Sequence, residues 1–223
     1  MMRSDRAVRA IAAVLLSFAL FFAVSSLVSA LVSYDSSPLG VLVSLIPYLF
    51  GFVAAGISLR LVLPYTFDPS AEQERAVPDG ADTEIPEPTE KSGAWLHMAI
   101  ALVMLLAVNF AIGALYGTSE AFSGARLAVS AAVGIAVKPL CEELLFRGAY
   151  LRVLSHRGGL PLWAAVSVQA VLFAAIHRGH GAIFALFAGL VLGVLAAKHS
   201  CLRSLAVHAA YNMILYAVMT VIS

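Results

Sequence analysis

Residues Ala94–Gly117 read AWLHMAIALVMLLAVNFAIGALYG, a run without a single Asp, Glu, Lys or Arg. A bilayer span needs about 20 mostly apolar residues, and this stretch supplies them. Working outward, comparable runs occupy Ala7–Ser33, Leu39–Leu63, Gly124–Leu140, Leu162–His177, Ala182–Ala197 and Leu202–Ile222. The segment Cys141–Leu154 is also apolar but carries Glu142, Glu143, Arg147 and Arg152, so it either continues the fourth span or lies at the interface. The pattern predicts an all-α, polytopic transmembrane helix bundle with about seven or eight membrane helices.

Composition agrees. Of the 223 residues, 61% are hydrophobic and 12% are charged, against roughly 25% charge in a soluble domain. A soluble enzyme and a disordered regulator are excluded, and a net charge of +1 offers no polybasic field for nucleic acid. Two cysteines make no disulfide framework.

With the N-terminus in the cytoplasm, Arg3, Arg6, Arg9, Arg60, Arg75, Lys91, Lys138, Arg147, Arg152, Arg157, Lys198 and Arg203 fall on or near the inner side, whereas Arg126 and Arg178 do not. That distribution predicts a multi-pass protein of the cell membrane with a cytoplasmic N-terminus. The start of the chain has features of a signal peptide, but its apolar run continues past Val28-Ser29-Ala30 and reads as an uncleaved anchor. The chain divides into N-terminal transmembrane helices (1–63), an acidic, Pro-rich cytoplasmic linker (64–93) and a C-terminal bundle (94–223), with no internal repeat of the kind transporters use.

Ionisable groups inside spans cost about 2.5–3.5 kcal/mol each on insertion scales, so each demands a reason. Three segments of the C-terminal half carry them: Glu142-Glu143-Leu144-Leu145-Phe146-Arg147, Phe173-Ala174-Ala175-Ile176-His177 and His208-Ala209-Ala210-Tyr211-Asn212. Four-residue spacing puts Glu143 and Arg147 on one helix face, where they pair. Glu142 points about 100° away, without that partner, and suits a general base. His208 and Asn212 share a face and present two hydrogen-bond donors to a developing oxyanion. A structural reading stands beside this one, with the two glutamates as dipole partners near a helix start at Pro139. The polar turn Ser155–Pro161 would fold the next helix back and bring His177 within about one turn of Glu142 in depth.

Taken together, Glu-Glu-x-x-x-Arg, Phe-x-x-x-His and His-x-x-x-Asn resemble the pattern of the CPBP family, the CAAX proteases and bacteriocin-processing enzymes also called the Abi domain. Its eukaryotic members are type II CAAX prenyl endopeptidases. The resemblance covers roughly residues 121–222 and implies an intramembrane endopeptidase with its site open to the cytoplasmic side. It implies that Glu142, helped by His177, activates water, that His208 and Asn212 hold the oxyanion, and that Glu143 and Arg147 orient them. Its substrate would be a membrane-associated or lipidated protein or peptide, with membrane lipid as the other partner. No metal is favoured, because no His-Glu-x-x-His helix is present; a zinc alternative would use Glu142, His177 and His208. Rival readings are a non-catalytic immunity or scaffold protein of the same fold and a proton-coupled transporter. Cys141 reads as packing, and Ala185, Gly189, Gly193 and Ala197 read as a close-contact stripe between helices.

Overall fold

The computed structural model describes residues 3–32, 37–62, 91–116 and 124–222, and among these no strand occurs. Seven helices result. They are α1 (Arg3–Leu31), α2 in two pieces (Pro38–Val43 and Leu45–Val62), α3 (Lys91–Tyr116), α4 (124–157), α5 (Leu162–Ala175), α6 (His180–Lys198) and α7 (Cys201–Ile222). The linker expected at 64–93 lies outside the described residues, apart from its last three positions, which open α3.

Segments of α1, α2, α3 and α6 are long and apolar enough to cross a membrane: Asp5–Leu31, Leu39–Arg60, Gly93–Leu115 and His180–Lys198. Helix α5 is apolar but shorter. The fourth expected span and the segment Cys141–Leu154 form one continuous helix, giving seven helices among the described residues.

Local chemistry explains the helix ends. The Ser37 side chain accepts the Gly40 N–H at 3.1 Å and Pro38 occupies the first helical position, a strong start signal for α2. Ser44 interrupts that helix, its hydroxyl turned back onto the Val41 carbonyl at 2.6 Å. Helix α4 contains three π-helical segments, Val133–Val137, Glu143–Tyr150 and Val153–Arg157. It ends where Gly158 and Gly159 donate to Val153 and Ser155 and Gly159 takes a positive φ of 66°.

Polarity is inverted relative to a soluble protein. Glu143, Arg147, Gln169 and Ser204 are buried, whereas Trp95 and Trp163 are each 73% exposed. Lipid is the medium that accepts such an outside. Helix α5 packs closely on α6, because Gly189 has no side chain: a Cβ there would sit 2.8 Å from the Ala170 Cα. The Gln169 amide seals that crossing by donating to the Gly189 carbonyl at 2.7 Å, as the small-residue stripe led us to expect. Ser17 of α1 donates to the Ala55 carbonyl of α2 at 2.9 Å and, with its proton so used, accepts from the Tyr150 hydroxyl of α4 at 3.1 Å.

Candidate active site

Helix α4 presents Ser130, Gly134, Lys138 and Glu142, one residue per turn, to a cavity of about 560 Å³. Helix α7 faces it with His208, Tyr211, Asn212, Leu215 and Tyr216, and α5 contributes Phe173 and His177. Helix α6 forms an apolar wall that includes Phe184, Ala188 and Leu192, and α2 closes one side with Val41 and Ser44. Glu142, His177, His208 and Asn212 therefore share one cavity. Glu143 and Arg147 stand behind it, fully buried.

The buried group is held by specific contacts. Arg147 Nη1 lies 3.1 Å from Glu143 Oε1, one turn along the helix. The approach misses hydrogen-bond alignment, and no guanidinium nitrogen makes a hydrogen bond among the described residues. The cation instead lies over the Phe173 ring, 4.3 Å from its centre. Glu143 also accepts from the Ser204 hydroxyl at 2.7 Å and from His208 Nδ1 at 3.0 Å. The Phe173 ring is the hub. Phe146, His177 and His208 meet it edge to face at 5.2, 4.8 and 6.2 Å.

These contacts fix ring orientations. His177 Nδ1 is 2.8 Å from the Phe173 carbonyl, which only accepts, so Nδ1 carries the proton and Nε2 keeps its lone pair. His208 Nδ1 faces a carboxylate and likewise carries a proton. Its Nε2 lies 3.7 Å from Glu142 Oε2.

Glu142, expected to stand alone, has two neighbours. One is His208, and the other is Tyr48 of α2, whose hydroxyl lies close enough to interact with the Glu142 carboxylate. The expectation considered only residues on the same helix, and both neighbours come from other helices.

Asn212 has a local role that spacing did not reveal. The Lys138 N–H bonds to the Val133 carbonyl in the π-helical segment, and Pro139 has no N–H to offer. The Gly134 carbonyl is thereby left without a backbone donor, and Asn212 Nδ2 fills the vacancy at 2.7 Å. One amide N–H remains for another acceptor. Gly134 is required here, since a Cβ would meet the Tyr216 hydroxyl at 2.6 Å.

The zinc alternative does not fit the side chains. Among the described residues no three His, Cys, Asp or Glu groups are arranged to hold a metal ion.

Sequence reasoning missed Ser204, Lys138 and Tyr48. Ser204 lies four residues before His208, and Lys138 lies four before Glu142, so helical spacing carried a signal for both. Nothing local pointed to Tyr48.

A membrane-embedded helical bundle with carboxylates, histidines and an amide around an internal cavity has the parts of a hydrolase built within the bilayer. Residues 124–214 match the family model described as Type II CAAX prenyl endopeptidase Rce1-like, so this part of the chain is similar to that family. No curated protein and no solved structure matches the chain.

Proposed function

We propose that this chain is an intramembrane endopeptidase that hydrolyses a peptide bond of a membrane-associated or lipidated protein or peptide. The observation that carries the reading is the meeting of Glu142, His177, His208 and Asn212 on one cavity. In the mechanism, Glu142 takes a proton from water while the free Nε2 of His177 orients that water by accepting its other hydrogen. The hydroxide so formed attacks the scissile carbonyl carbon. Asn212 gives its second N–H to the resulting oxyanion. His208 can add an Nε2–H only when its ring holds both protons. As the tetrahedral centre collapses, the carbon–nitrogen bond breaks and Glu142 returns its proton to the leaving amine.

Glu143, Arg147, Ser204 and Phe173 act by holding His208 and His177 in register. No step uses a metal, a choice supported by the poor fit of the zinc set. The Lys and Arg distribution supports a cell-membrane protein with a cytoplasmic N-terminus and the cavity open to that side.

The test compares peptides in membranes carrying wild-type chain or Glu142→Ala, each with and without a chelator. Glu142→Ala should lower cleavage roughly 10³- to 10⁴-fold with abundance unchanged. Full cleavage by that variant ends the protease reading, and loss of wild-type cleavage on chelation ends the metal-independent mechanism.

A further inference from the structure

Tyr216 lines the cavity and has no part in the mechanism above. It follows His208 and Asn212 on α7 at four-residue spacing, so the three share the helix face that meets the cavity. Gly134 of α4 fixes where its hydroxyl stands. A Cβ at Gly134 would lie 2.6 Å from that hydroxyl and 2.9 and 3.1 Å from the ring carbons Cε2 and Cζ, so the phenol tip fills the space the glycine leaves. The carbonyl of the same Gly134 receives Asn212 Nδ2 at 2.7 Å, which gathers the amide and the hydroxyl around one residue of α4. Thr220 donates to the backbone carbonyl of Tyr216, and the phenol itself makes no hydrogen bond among the described residues. A phenylalanine would supply the same ring. A hydroxyl taken out of water costs free energy unless it finds a partner, so its place on the cavity calls for one that enters from outside the protein.

Resting on the protease reading, we propose that the Tyr216 hydroxyl donates a hydrogen bond to a backbone carbonyl of the substrate two residues from the scissile one, holding the peptide extended along α7. Geometry sets the count. Asn212 and Tyr216 are one turn apart, a rise of about 6 Å. In an extended peptide the carbonyls of residues i and i+2 face the same side, about 7 Å apart. A scissile carbonyl on Asn212 therefore brings the next carbonyl of that side to Tyr216. The contact reads main chain and not side chain, so it adds hold on the substrate without restricting its sequence. Tyr216 lies just beyond the matched residues 124–214.

The experiment uses the full chain in detergent micelles with a library of N-terminally palmitoylated decapeptides. A sequence that the wild type cuts is remade with one backbone carbonyl at a time replaced by a thiocarbonyl, a weaker hydrogen-bond acceptor. Rates and products are read by mass spectrometry. For the wild type, kcat/KM should fall roughly fivefold to tenfold when the thiocarbonyl stands two residues from the scissile carbonyl, on one side of the cut. Tyr216→Phe keeps the ring. It should lower kcat/KM on the unmodified peptide by about the same factor and lose the sensitivity at that one position, while keeping the wild-type response at the others. A merely structural role for the tyrosine would not erase the response at a single carbonyl. Wild-type indifference at both positions two residues from the cut overturns the proposal alone, and this arm stands without the variant. Sensitivity that persists in Tyr216→Phe overturns it as well, as does a Tyr216→Phe that cuts the unmodified peptide at the wild-type rate. A library that the wild type leaves uncut overturns the protease reading and this inference with it.

Discussion

Helices α1 and α2 and helices α4–α7 belong to one strongly apolar chain, yet the two regions bury different things. Between α1 and α2 lie Ala13, Val14, Phe21 and Ala55, with Ser17 and Ser58 sharing the Ala55 carbonyl. The later helices bury Glu142, Glu143, Arg147, Gln169, Ser204 and His208. In the first region every interaction is one that packing in lipid asks for. In the second, charge is carried into the bilayer against its solvation cost and then compensated residue by residue. The family match covers 124–214, within the second region. The placement of polar atoms separates the two.

The largest effect expected from breaking the difference comes from Arg147→Met. It leaves the buried Glu143 carboxylate without its cation, which should destabilise the protein by about 3–5 kcal/mol. Equilibrium unfolding in mixed micelles measures this, and the double variant Glu143→Gln with Arg147→Met should recover much of the loss. A cost under about 1 kcal/mol would mean that the second region tolerates charge as cheaply as a surface does.

Asn212→Ala is next. Removal of an oxyanion donor should cost about 100- to 1,000-fold in kcat, with KM little changed. The same substitution strands the Gly134 carbonyl and should lower stability by about 1–3 kcal/mol. If stability falls and kcat holds, the amide belongs to the packing of α4 alone.

Much of this was legible in sequence. The apolar runs located the described helices other than α4 to within a few residues, because lipid imposes a length and forbids exposed charge. The motif residues were legible for the same reason: Glu142, His177 and His208 stand out where ionisable groups are scarce. The π-helical segments and the break at Ser44 were not, since they depend on hydrogen bonds that no spacing rule announces. The bond from Asn212 to Gly134 needed two facts together, the longer reach of the Lys138 N–H and the missing one of Pro139. Contacts across helices far apart in sequence were hidden altogether, and Tyr48 on Glu142 is the clearest case.

Tyr48 also sets the finest test of the contrast. Like Ser17, it brings a polar group of the N-terminal helices to α4, and the two should behave differently. Ser17 joins the Ala55 carbonyl to the Tyr150 hydroxyl well away from the cavity, so Ser17→Ala should lower stability by about 1 kcal/mol and leave kcat alone. The Tyr48 hydroxyl sits on the proposed base itself, while its ring is anchored edge-on to Phe21 at 5.7 Å. Tyr48→Phe keeps that ring contact and removes only the hydroxyl. Its main effect should be on turnover, a fall in kcat of roughly tenfold with KM little changed, because Glu142 loses a polar neighbour. If Tyr48→Phe instead behaves like Ser17→Ala, losing stability and no turnover, the N-terminal helices are support and the chemistry is confined to α4–α7. If kcat falls as expected, the catalytic unit extends beyond residues 124–214, and α2 is part of it.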